Sequence, residues 1–117
     1  MLDTFPIGGG VTTMETLQQC TPIVTQPSKI TVLQLTLGML RRMELPEHVL
    51  EHMVVPTSSA IDYADYAVKI GGNTSLQEEI RTFLCDPLSQ NRLFRDKRAV
   101  TEWESFLERV HHMSKYM

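Results

Sequence analysis

The sequence has no surplus of basic charge, no long apolar run, no cysteine pair at metal-binding spacing and no internal repeat. Each absence removes a class of function. Eleven Lys and Arg stand against 14 Asp and Glu, leaving a formal net charge of −3, whereas a nucleic-acid-binding surface normally shows as a basic excess. The opening Met1-Leu2-Asp3 carries neither the basic nor the apolar stretch of a signal peptide. No apolar run approaches the roughly 20 residues that cross a bilayer. The expectation is a soluble, cytoplasmic chain with no nucleic-acid or membrane partner. Cys20 and Cys85 are the only two cysteines, and without C-x-x-C spacing they are expected to be ordinary reduced thiols rather than a disulfide or zinc ligands. The lack of a repeat of about 20 to 50 residues excludes a solenoid. What remains, 117 residues with 42% hydrophobic and 21% charged content, is ordinary in composition and has the size of one domain.

Glycine is sparse, yet three of the six glycines are consecutive. They lie in Phe5-Pro6-Ile7-Gly8-Gly9-Gly10-Val11-Thr12-Thr13-Met14-Glu15-Thr16-Leu17, the stretch around which the rest is organised. Glycines allow positive φ and a close approach of main-chain N–H groups to a bound group. A helix opening at Thr12 or Thr13 adds unpaired N–H donors and the positive end of its dipole. Together these features suit an anion, phosphate above all. The same letters also spell a T-x-x-E capping box, in which Thr12 and Glu15 satisfy backbone donors and the segment is only a turn. The loop is neither a Walker A motif nor a full dinucleotide fingerprint.

Further along, a short helix to Gln19 should stop before Pro22. Pro22-Ile23-Val24-Thr25 and Met53-Val54-Val55 read as short buried strands of a parallel sheet, so the alternation predicts an α/β fold. Ser28 to Arg42 fits a helix ending in Arg41-Arg42, which could reach a phosphate or simply end a solvated helix. His48 and His52 share a helix face at i and i+4, but no third metal ligand accompanies them. Ser58 or Ser59 should cap a helix with Ala60, Tyr63, Ala64, Ala67 and Val68 on its apolar face, ended by Gly71-Gly72. Thr74 and Ser75 open another, with Leu76, Ile80, Phe83 and Leu84 along one side, broken by Asp86-Pro87. Leu88 to Arg95 reads as a polar connection. A last helix from about Asp96 carries Val100, Trp103, Phe106, Leu107, Val110 and Met113 on one side.

The run Leu2-Asp3-Thr4-Phe5-Pro6-Ile7-Gly8-Gly9-Gly10-Val11-Thr12-Thr13-Met14-Glu15-Thr16-Leu17, followed by Thr21-Pro22-Ile23-Val24-Thr25-Gln26-Pro27-Ser28, resembles the C-terminal catalytic region of the O-GlcNAc transferase and SPINDLY-like glycosyltransferases. Ile61-Asp62-Tyr63-Ala64-Asp65-Tyr66-Ala67-Val68-Lys69-Ile70-Gly71, Leu93-Phe94-Arg95-Asp96 and Ala99-Val100-Thr101-Glu102-Trp103-Glu104 continue the likeness in the same order. Relatives often carry His or Asn before the threonines, where this chain has Gly10-Val11, and an arginine after the proline turn, where it has Ser28-Lys29.

The resemblance implies a partial Rossmann-like C-terminal half of a GT-B glycosyltransferase. Residues 1–55 would be the α/β nucleotide-sugar portion and 56–117 a helical portion of one partial domain. It implies an inverting, metal-independent sugar transfer to protein Ser or Thr from a nucleotide-sugar donor, UDP-GlcNAc or GDP-fucose, with no cofactor. Gly9, Gly10, Val11, Thr12 and Thr13 would face the diphosphate, and Glu15 would hold the ribose hydroxyls. The family's catalytic histidine, base-recognising segment and acceptor half have no counterpart in these residues. The chain alone is therefore expected to be inactive and to need an upstream glycosyltransferase half, in cis or in trans. The alternative is a noncatalytic remnant that binds protein through apolar surface left uncovered, including that of Ser28 to Arg42.

Overall fold

A computed structural model describes residues 1–117. Its regular structure is seven α-helices and one 3-10 turn: α1 (Val11–Gln18), the turn Thr31–Leu33, α2 (Leu35–Arg42), α3 (Glu47–Met53), α4 (Ala60–Gly71), α5 (Thr74–Leu84), α6 (Pro87–Phe94) and α7 (Lys97–Ser114). The expected α/β Rossmann-like architecture is not what forms. The two β-branched stretches do come together, but only as isolated parallel bridges, Leu2 to Val24 and Thr25 to Val54. Four backbone hydrogen bonds hold them, from Asp3 N to Val24 O, Val24 N to Met1 O, Thr25 N to Met53 O and Val55 N to Thr25 O. Pro22, Pro27 and Pro56 bracket these segments and lack the N–H that would extend a ladder. The result is a helical fold with no sheet.

The bridged segments nevertheless lie at the centre. Ile23, Val24 and Val55 are buried in one apolar cluster with Leu17 of α1, Leu40 of α2, Val49 and Met53 of α3, and Leu76, Ile80 and Leu84 of α5. The spacing of Leu76, Ile80 and Leu84 at i, i+4 and i+8 turns all three toward this core. Asn73 caps α5, its side chain accepting from Leu76 N at 3.1 Å, and Ser59 caps α4, accepting from Asp62 N at 3.4 Å. The buried side of α4 is rotated from the expected one. Tyr63, Tyr66 and Ile70 pack on the cluster, while Val68 is 73% exposed.

Three local expectations are revised. Residues 88–95 are not a connection: Asp86-Pro87 ends α5 and also starts α6, because proline at the first helical position has no N–H to waste and the right φ. The segment from Ser28 becomes regular helix only at Leu35, after the 3-10 turn. Cys20 and Cys85 are not free thiols but form a disulfide, their Cα atoms 5.2 Å apart. The pairing was hidden in the sequence by the 65 residues that separate them. It joins the end of α1 to the end of α5, and Gln90 of α6 fastens the same two ends by donating to Leu17 O at 2.8 Å and Leu84 O at 2.6 Å.

α7 stands apart. None of its 18 residues is buried, and the molecule measures 61 × 30 × 22 Å. Asp96 anchors its start, accepting from Arg98 N at 3.0 Å and pairing with Arg42 of α2.

Candidate functional site at the glycine loop

The chain turns the glycine loop inward through an aspartate. Asp3 is 6% exposed. Its Oδ1 accepts from Thr4 N at 3.0 Å and Gly9 N at 2.7 Å, and its Oδ2 accepts from Thr25 Oγ1 at 2.8 Å. The Asp3 carbonyl accepts from the Tyr63 hydroxyl at 2.6 Å. Burial, and secondarily the Asp3 charge, push the Tyr63 phenol above its ordinary value. Gly8 N donates to Leu33 O at 3.1 Å, which ties the loop to the 3-10 turn.

Close approach, not positive φ, explains the first two glycines, since no glycine has φ in the left-handed range. A Cβ on Gly9 would lie 2.7 Å from Thr13 Oγ1, and one on Gly8 would lie 3.1 Å from Asp3 Oδ2. Gly10 is different, for a Cβ there would meet nothing within 4 Å.

Helix α1 begins at Val11, with Gly10 as its cap residue and no side-chain cap. The expected capping box is therefore absent. Thr12 lies inside the first turn, where its carbonyl accepts from Thr16 Oγ1 at 2.7 Å. The N–H groups of Val11, Thr12 and Thr13 have no acceptor within the chain, and those of Val11 and Thr12 belong to exposed residues at the positive end of the helix.

The six candidate residues thus divide. Gly10, Val11 and Thr12 border the open end of α1 and Glu15 stands in its second turn, with Val11 72% exposed and Thr12 and Glu15 also exposed. Gly9 spends its N–H on Asp3. Thr13 is fully buried, and its hydroxyl shares a hydrogen bond of 3.1 Å with Thr36 of α2. Its N–H has no acceptor, but no part of the residue is exposed. Valine at position 11 supplies no hydroxyl, so the outward side-chain groups are Thr12 Oγ1 and the Glu15 carboxylate, one helical turn apart.

Arg41 and Arg42 are not brought to this end. Arg42 pairs with Asp96, and Arg41 borders a pocket with Glu47, Glu51 and Tyr66. His48 packs edge-on against Phe83 at 5.5 Å, and no group of three or more His, Cys, Asp or Glu side chains is placed to hold a metal. A cavity of about 500 Å³ between Leu2, Pro22 and Val24 on one side and Val68, Gln77 and Arg81 on the other includes none of the six residues. Sequence reasoning passed over Asp3 and Thr36. The readable signal for Asp3 was an acid preceding a run of loop N–H groups, every one of which needs an acceptor.

Comparison with protein-family models, curated proteins and solved structures finds no match for the chain.

Proposed function

We propose that this chain supplies the diphosphate and ribose contacts of a nucleotide-sugar-dependent glycosyltransferase that modifies protein Ser or Thr, with its remaining catalytic groups in another polypeptide segment. The observation that carries the reading is the open N-terminus of α1, where the exposed residues Val11 and Thr12 leave their N–H groups unpartnered and Glu15 is exposed one turn further on. The resemblance of the surrounding sequence to O-GlcNAc transferase and SPINDLY-like enzymes supports it further. The reading needs no sheet within this chain, because every group invoked belongs to the loop or to α1.

The chemistry follows from charge. Breaking the glycosidic bond of UDP-GlcNAc or GDP-fucose leaves negative charge on the nucleoside diphosphate. Fixed N–H donors and the helix dipole stabilise that charge as it grows, at little reorganisation cost. Thr12 donates a further hydrogen bond, and Glu15 accepts from the vicinal ribose hydroxyls. Thr13, fully buried against Thr36, supports the turn and makes no contact of its own.

The test is calorimetric titration of UDP and GDP into the chain and its variants. Thr12→Ala should weaken binding about threefold to tenfold and Glu15→Ala about tenfold, the ordinary worth of one neutral and one charged hydrogen bond. Equal affinity in all variants, or no heat with either nucleotide, would overturn the reading.

A second reading, a noncatalytic interaction module, is favoured by one observation. The apolar side of α7 is left to solvent, with Trp103 63% and Val100 60% exposed.

A further inference from the structure

α7 carries an uncovered apolar side. Val100, Trp103, Phe106, Leu107, Val110 and Met113 recur at spacings of three and four, which at 3.6 residues per turn makes a single stripe. Every one of them is between 43% and 66% exposed. Trp103 and Phe106 stack with centroids 5.4 Å apart. On one flank of the stripe lie Glu102 and Arg109, and on the other Lys97, Glu104 and His111.

We propose that this stripe is covered by α7 of a second copy, running antiparallel about a two-fold axis between Phe106 and Leu107. That register alone sets every apolar side chain opposite another: Val100 faces Met113 of the second copy, Trp103 faces Val110, and Phe106 faces Leu107. The flanks are complementary in the same arrangement. Glu102 comes beside Arg109 of the other copy, twice by symmetry, and Glu104 comes beside His111. A parallel pairing would bring each flank beside the opposite flank of the other copy, setting Glu102 beside Glu104 and Arg109 beside His111. The area at stake is of the right order: a Trp or Phe carries roughly 150–250 Å², and with 43% to 66% of each of the six side chains exposed, complete mutual covering of the two stripes reaches the ~1,200 Å² at which stable interfaces begin. The inference is independent of the nucleotide reading, because α7 shares no residue with the loop.

Sedimentation equilibrium of the full chain across concentration is the test, with Trp103, the only tryptophan, reporting burial by a blue shift of its fluorescence. The expected result is a monomer–dimer equilibrium with the blue shift tracking the dimer. Leu107→Glu should abolish the dimer while leaving the helical circular dichroism of the body intact, since Leu107 has no buried contact to lose. Glu102→Arg and Arg109→Glu should each weaken the homodimer about fivefold to tenfold, the sum of two reciprocal exposed pairs turned repulsive. An equimolar mixture of the two should associate as well as the natural chain. A monomer at every concentration would overturn the proposal and leave the stripe to a different partner. So would a dimer indifferent to Leu107→Glu, or single variants that fail to complement each other in the mixture.

Discussion

The two faces of the Gly8–Thr13 segment use the same kinds of group to opposite ends. Inward, Gly9 N, Thr13 Oγ1 and the Asp3 carboxylate are consumed in hydrogen bonds of 2.7 to 3.1 Å. Outward, the N–H groups of Val11 and Thr12 are unspent. A glycine-rich loop before a helix is therefore not one site but two. The buried side is already filled by the chain's own carboxylate, which occupies the place where an anion was expected to meet Gly9. Only the helix end remains available to a ligand. Inward changes should move stability and leave binding alone only as far as the loop holds its shape, whereas outward changes should move binding and leave stability alone.

The largest effect is expected at Asp3. Asp3→Ala strips acceptors from Gly9 N and from buried Thr25 Oγ1, and leaving such donors unpaired should cost about 2–4 kcal/mol in urea unfolding. Next comes a glycine pair. Gly9→Ala forces a methyl against Thr13 Oγ1 and should cost roughly 1–3 kcal/mol, while Gly10→Ala, with open space around it, should cost only about 0.5–1 kcal/mol, the difference between glycine and alanine as a helix cap. Equal effects at the two glycines would break the division into faces.

The threonines give a finer test. Thr13→Val orphans the hydroxyl of Thr36, which is 1% exposed, and should cost about 1–2 kcal/mol. The double variant with Thr36→Val should recover most of that, since two apolar groups of similar shape replace the pair. Thr12→Val should leave stability within about 0.5 kcal/mol.

The smallest effect is a pH dependence at Tyr63. Its folded-state pKa is raised by burial and by Asp3, so its contribution is complete below the unfolded value near 10 and is lost as pH rises through the higher folded value. Natural protein should thus lose stability as pH rises above about 10 slightly faster than Tyr63→Phe. The same variant gives up the hydrogen bond to Asp3 O, at about 1 kcal/mol near neutrality.

How much of this was legible in the sequence differs by element. Helix α5 was readable nearly to the residue, because Leu76, Ile80 and Leu84 repeat at helical spacing between Asn73 and Asp86-Pro87. α7 was equally readable as a helix, yet its apolar side faces solvent. Periodicity says which side is apolar and not what covers it. The strands misled for a related reason. Ile23, Val24 and Val55 are buried as a parallel strand would be, but burial of two or three β-branched residues does not make a ladder when prolines bound each segment. The Thr12-Glu15 capping box failed because the helix took two more residues on the N-terminal side, Val11 and Thr12, with Gly10 serving as the cap. The disulfide and the Thr13–Thr36 pair join residues 65 and 23 apart in sequence, and such contacts leave no local signal.

The most direct measurement of the central claim is a titration of the ¹⁵N-labelled chain with UDP, and in parallel with GDP, followed by amide chemical shifts. Saturable shifts concentrated at Val11 and Thr12, with Gly9 held still by its bond to Asp3, are the expected result and would identify the preferred base. A folded spectrum in which those two amides do not move with either nucleotide would contradict the account.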